Sequence, residues 1–171
     1  CIAVPTMPLL RARELSTILA KAEVNAVLCA QGLRGELDAV PGLPPMLCFG
    51  GDGAELERRM AAHAAPFTAH DTAADDVCLI SFTSGTTGVP KGTMHMHRDL
   101  LAICDCFPRS MLQVRPDDIF IGTPPLAFTF GLGGLLLFPL RFGASAVLLE
   151  KLTPESLLRA IDTYAASICF T

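Results

Sequence analysis

From Phe82 to Gly92 the chain reads FTSGTTGVPKG, a stretch crowded with groups that bind anions. It holds Gly85, Gly88 and Gly92, the hydroxyls of Thr83, Ser84, Thr86 and Thr87, and the cation of Lys91. Glycine lets backbone N–H groups turn inward and approach a polyanion closely. Hydroxyls add donors that can follow moving oxygens, and a lysine adds a mobile positive charge. The chemistry this composition serves is phosphate binding. It is not the Walker arrangement, which needs Lys directly after a glycine and a hydroxyl directly after the Lys. Here Val89 and Pro90 separate Gly88 from Lys91, and Pro90 stiffens the backbone just before the cation.

A second candidate constellation is Pro124-Pro-Leu-Ala-Phe128-Thr129-Phe130-Gly131-Leu-Gly133. Two aromatics flanking a small residue suit the wall of a flat apolar pocket. Aromatics at short spacing equally suit an ordinary core, and for Phe128 and Phe130 both readings stay open. Phe120 and Phe138 are expected to be core. Gly50-Gly-Asp-Gly53 reads as a connection between a strand and a helix rather than a nucleotide site. His95 and His97 share one strand face but have no third ligand near in sequence, so no metal site is assigned.

The Thr83–Gly92 run resembles the signature of the adenylate-forming superfamily, matching its Thr-Ser-Gly-Thr-Thr-Gly-x-Pro-Lys-Gly pattern throughout. Thr93-Met-His-Met-His97-Arg-Asp-Leu100 is similar to the strand and histidine-led helix that follow the loop in these enzymes. Weaker similarity covers nearly the whole chain, nearest in character to benzoate- and 2-aminobenzoate-CoA ligases. The resemblance implies ATP-dependent activation of an aromatic carboxylate to an acyl-adenylate, then transfer to coenzyme A. It assigns the pyrophosphate-holding role to Thr83, Ser84, Gly85, Thr86, Thr87, Gly88 and Lys91. Phe128, Thr129, Phe130 and Gly131 become the acyl-pocket segment, with Phe130 against the substrate ring. Mg²⁺ is expected to accompany the triphosphate, with no ligand assignable here. The family's catalytic lysine, its adenine-binding motifs and its C-terminal domain would lie beyond Thr171. The chain is therefore expected to be residues 1–171 of a partial N-terminal domain, inactive alone. Two other readings are an adenylation domain that loads a carrier protein and a non-catalytic ATP-binding remnant.

The elements that must position these groups alternate. Leu10 to Val24 carries apolar residues at helical spacing, and Ala26–Cys29 and Met46–Phe49 read as short buried strands. A helix is expected from Ala54 to about His63, amphipathic through Leu56 and Met60. The polar run Asp71–Asp76 is the best internal boundary, leading into the strand Val77–Phe82. After the loop come a strand at Thr93–Met96, a helix at Arg98–Leu112 and a strand at Ile119–Gly122. Ser145–Leu149 follows as a strand. Thr153-Pro154 opens a helix by hydroxyl cap and first-turn proline, with Leu157, Leu158, Ile161 and Tyr164 as its buried stripe. Cys1–Val4 and Ser167–Thr171 look like strands at the two ends. Strands alternating with helices predict an α/β class protein, a layered fold with a largely parallel sheet.

A chain of 171 residues with half its residues hydrophobic can bury one good core. Its net charge of −4 argues against nucleic acid or an anionic membrane as partner. Ile119 to Leu140 carries no charge, but Gly122, Pro124, Pro125, Gly131, Gly133, Gly134 and Pro139 break it into a strand, a turn and a short buried helix. The odd count of seven cysteines and the lack of a secretion signal favour reduced thiols and a cytoplasmic location.

Overall fold

The computed structural model describes residues 1–51, 55–63, 65–83 and 90–171. The chain forms two compact units: one of 6–72 and 82–93, the other of 1–5, 73–81 and 94–171.

In the first unit, α1 (Ala12–Lys21) precedes β1 (Val27–Ala30), α2 (Arg34–Asp38), β2 (Met46–Phe49) and α3 (Glu55–Ala62). The strands β1 and β2 pair in parallel, with Val27 opposite Met46 and Cys29 opposite Cys48. Leu15 of α1, Cys29 of β1, Leu37 of α2 and Val40 form the buried cluster, with Leu19, Val27 and Met46 against it. The helical spacing of Leu15, Ile18 and Leu19 is what turns one side of α1 inward. Glu36 ties the helices together, accepting from the Ala12 N–H at 3.0 Å and pairing with Arg11. Met60 departs from the expected stripe of α3: it is exposed, as α3 is only half covered at Glu55 and Leu56.

The strand β3 (Val77–Thr83) and the strand β4 (Lys91–Met96) pair with each other. The connection between them, residues 84–90, is too short for the crossover a parallel pair requires, so the two run antiparallel. In the second unit Ala3 bridges in parallel to Leu79, the one strand pairing of Cys1–Val4 among the described residues. The helix α4 (His97–Phe107) then starts with its first donors already satisfied. His97 and Arg98 give their N–H groups to the carbonyls of Asp76 and Ala74, and Asp99 accepts from the Met96 N–H. A π-helical turn, Pro108–Leu112, extends α4.

The main sheet of this unit is three-stranded and wholly parallel, with β5 (Ile119–Gly122) between β6 (Ser145–Val147) and β7 (Ile168–Phe170). Phe120 and Ile121 of the central strand are 0% exposed, as expected of a parallel strand covered on both faces. Between β5 and β6 the chain forms α5 (Thr129–Leu132), a π-helical turn Gly133–Leu137 and α6 (Phe138–Phe142). The core joins Cys104, Val114, Phe120, Phe138 and Phe170. The charge-free run 119–140 thus resolves as a strand and a helical stretch. One side of that stretch is buried through Gly131, Gly134, Leu135 and Phe138, while Phe130, Leu136 and Leu140 are exposed. Among the described residues no helix is long and apolar enough to cross a membrane.

The helix α7 (Pro154–Tyr164) begins as the sequence indicates. Thr153 Oγ1 accepts from the Ser156 N–H at 3.1 Å, and Pro154 occupies the first turn. Its inward face is narrower than expected: Ala160 is buried and Leu157 and Ile161 half-buried, whereas Leu158 and Tyr164 are exposed.

Asp118 fastens the start of β5 to the start of β7. Its carboxylate accepts from the Arg115 N–H at 2.7 Å and from the Ser167 hydroxyl at 2.8 Å, while Ser167 Oγ accepts from the Ile119 N–H at 3.0 Å. The Arg115 N–H, then the Ser167 hydroxyl, hold this carboxyl below the usual carboxylate range. A depressed folded-state pKa stabilises the fold above the unfolded value and stops doing so as pH falls through the folded value. Asp118→Ala is expected to cost about 1 kcal/mol at pH 7, a charged hydrogen-bond acceptor discounted for partial exposure. Urea unfolding of wild type and variant should show that gap closing below about pH 4. A gap unchanged in acid would contradict an ionised acceptor at this position.

Candidate functional site

Phosphate binding at the glycine-rich stretch requires a donor-rich loop between fixed ends. Thr83 is the last residue of β3 and Lys91 the first of β4, and antiparallel pairing puts them at the same end of the pair. Both are exposed. Ser84, Gly85, Thr86, Thr87 and Gly88 lie outside the described residues. Lys91 sits in a strand rather than in the loop proper, since β4 starts two residues earlier than the sequence indicates. The strand therefore fixes its Cα while its long side chain stays in solvent. One support for this stretch escaped the sequence reading. Lys21, at the end of α1, donates from Nζ to the carbonyl of Pro90 at 2.9 Å. Nothing in the sequence flags it, since Lys21 reads as one more charge on the outer face of α1.

The second constellation lies past the C-terminal end of β5. In open parallel sheets that end is where ligands bind, because the loops there leave the sheet without covering it. Gly122 ends β5 beside Phe170, which ends β7; a Cβ at 122 would stand 2.3 Å from the Phe170 carbonyl oxygen. Thr123 donates its N–H to that same carbonyl at 2.9 Å, turning the chain outward. Phe128 donates its N–H to Pro125 O at 3.1 Å and accepts from Leu132 at 2.8 Å, which starts α5.

Of the four residues expected to form the acyl segment, three face solvent. Phe128 is 44% and Phe130 54% exposed, and Thr129 is exposed as well. Gly131 is buried against the carbonyls of Pro124 and Pro125. The Phe130 ring is braced from behind, its centroid 5.5 Å from that of Phe170 and tilted by 58°. Phe170 is in turn packed on Phe120 and Phe138 at 6.1 Å. A partly exposed aromatic held on a buried aromatic stack is a rigid apolar surface rather than core filling. The importance of Phe170 was not legible beforehand, because its partners at 120, 130 and 138 come from other elements.

The first unit contains a separate cavity of about 420 Å³, lined by Gln31, Arg34, Asp38, Met46, Cys48, Glu55 and Arg58 among others. No cluster of three or more His, Cys, Asp or Glu suited to a metal ion occurs among the described residues.

A parallel sheet between helices, with a braced aromatic at its strand ends, defines the class: an α/β protein. The family model described as AMP-binding enzyme matches residues 1–171, and the chain belongs to that family. It is 36% identical over 136 residues to the benzoate–CoA ligase of Thauera aromatica, covering 78% of this chain and 26% of that protein. It is 35% identical over 94 residues to the anthranilate–CoA ligase of Pseudomonas aeruginosa, covering 54% and 18%. Among solved structures, an anthranilate CoA ligase in complex with anthranoyl-AMP superposes with a TM-score of 0.91 at 26% identity. That superposition covers 99% of this chain and 35% of the other. The chain thus spans about a quarter or less of the length of these two curated relatives.

Proposed function

We propose that this chain forms the phosphate-holding and acyl-binding part of an ATP-dependent aryl-acid–CoA ligase. The reading rests first on the exposed Phe130 surface, braced by Phe170 at the C-terminal ends of β5 and β7. Its position suits a flat aromatic acid lying against a rigid ring, and the names of the relatives agree. In the proposed reaction the carboxylate attacks the α-phosphorus of ATP, displacing pyrophosphate, and coenzyme A thiolate then displaces AMP to give the thioester. The chain's own part is to hold charge as it builds on the departing pyrophosphate, through Thr83, Ser84, Gly85, Thr86, Thr87, Gly88 and Lys91. Donors placed in advance do this without reorganising during the reaction. Mg²⁺ enters with the nucleotide as part of that substrate. The groups that hold adenine and the catalytic lysine are proposed to belong to the remaining length seen in the relatives.

The test is thioester formation by the full-length protein, offered benzoate, 2-aminobenzoate and a long-chain fatty acid with ATP. Coenzyme A and a phosphopantetheinylated carrier protein are compared as acceptors. Benzoyl- or 2-aminobenzoyl-CoA is the expected product. Transfer to the carrier protein alone would replace the ligase reading with a carrier-loading one, and no product with any acid would leave a non-catalytic nucleotide binder.

A further inference from the structure

Two cysteines with no part in the proposed ligation are brought together by strand register. Cys29 of β1 and Cys48 of β2 are direct partners in a parallel pair, so their side chains leave the sheet on the same side. That side faces α2, since Cys29 packs with Leu37 and Cys48 lines the cavity beside Arg34 and Asp38. Paired strands stand about 4.8 Å apart, within the roughly 4.4–6.8 Å between Cα atoms that a disulfide spans. Cys29 is 5% and Cys48 7% exposed, and both are free thiols. Only Cys48 opens on the cavity, which is large enough to admit a small oxidant. The Arg34 guanidinium, bonded to Asp38 at 3.0 Å, lines the same cavity as Cys48. Arg58 lines the same cavity, with Asp38 and Glu55 as its acidic members. Cys29 is the contrasting partner: burial pushes its thiol up, and it donates to the Ala30 carbonyl at 3.2 Å.

We infer that Cys48 and Cys29 form a peroxide-oxidisable dithiol, with Cys48 as the attacking sulfur and Cys29 as the resolving one. The Cys48 thiolate attacks one oxygen of hydrogen peroxide and the O–O bond breaks. The departing hydroxide takes up a proton to become water, leaving a sulfenic acid on Cys48. The Cys29 sulfur, giving up its proton to solvent, then attacks the Cys48 sulfur. It expels a second hydroxide, which is protonated to water, and forms the disulfide. Overall, two thiols lose two electrons and two protons while one peroxide becomes two waters.

The test uses the full chain, reduced and then exposed to a small excess of hydrogen peroxide, alkylated and digested with trypsin without reduction. Cleavage after Lys21, Arg34 and Arg58 leaves Cys29 alone on peptide 22–34 and Cys48 alone on peptide 35–58. The expected product is these two peptides joined, two hydrogens lighter than their sum, formed by the folded chain and not by the chain in denaturant. Dimedone added during oxidation should label Cys48 and not Cys29. Cys29→Ser should abolish the joined peptide while leaving dimedone labelling of Cys48 in place. Cross-linking only in denaturant would overturn the inference. So would full alkylation of Cys29 and Cys48 while exposed Cys1, Cys106 or Cys169 oxidises. The wild-type map decides the matter even where a variant fails to fold.

Discussion

Lys91→Ala in the full-length enzyme is expected to slow acyl-adenylate formation by about 10²–10³-fold, the loss that follows removal of one preplaced charge-stabilising donor. Thioester formation from preformed acyl-adenylate should fall far less, because pyrophosphate has already left by then. The asymmetry follows from position. Lys91 begins β4 at the end where Thr83 finishes β3, and its side chain is exposed, so its loss removes a charge without opening a core. Rapid-quench measurement of each half-reaction separates the two. Equal loss in both would mean that Lys91 acts on AMP or on folding rather than on pyrophosphate. Lys91→Arg should recover only part of the rate, since a planar fork does not reproduce a compact ammonium.

Gly131→Ala should have the largest effect on the acyl shelf and on stability. A Cβ at 131 would stand 2.2 Å from the Pro125 carbonyl oxygen and 2.6 Å from that of Pro124. Both obstacles are backbone, so no side-chain rotation relieves them. The Pro125 carbonyl is also the acceptor for the Phe128 N–H, so moving it disturbs the start of α5 along with Phe128 to Phe130. Overpacking of this kind costs about 3 kcal/mol. Chemical denaturation should show that loss, and the KM for the aromatic acid should rise about tenfold where the variant remains folded, a displacement cost of roughly one kcal/mol or more. A stability within about 0.5 kcal/mol of wild type would show that the 124–131 segment yields freely and is not a rigid wall.

Much of the fold could be read in advance because local signals were strong and agreed. Met46–Phe49 and Ile119–Gly122 are apolar runs bounded by turn residues, and they form strands with those limits. Thr153 and Pro154 set the start of α7 unaided. Periodicity failed where a tertiary neighbour decided burial. In α7 Leu158 and Tyr164 face solvent, and Ala160 is the buried residue. The π-helical turns at Pro108–Leu112 and Gly133–Leu137 have no sequence signature of their own and were absorbed into longer helices. At the candidate sites, residue types announced the phosphate segment and the aromatic pair. The supporting contacts are long-range and stayed hidden: Lys21 to Pro90, Phe170 beneath Phe130, and Cys29 opposite Cys48.

The most direct test is ATP–pyrophosphate exchange catalysed by the full-length protein, driven in turn by benzoate, 2-aminobenzoate and a long-chain fatty acid. Exchange reports adenylate formation alone and is indifferent to the acceptor. An aromatic acid is predicted to drive exchange at least about tenfold faster than the fatty acid, one to three kcal/mol of pocket discrimination. Faster exchange with the fatty acid would contradict the aromatic shelf at Phe130, and no exchange with any acid would contradict adenylation itself.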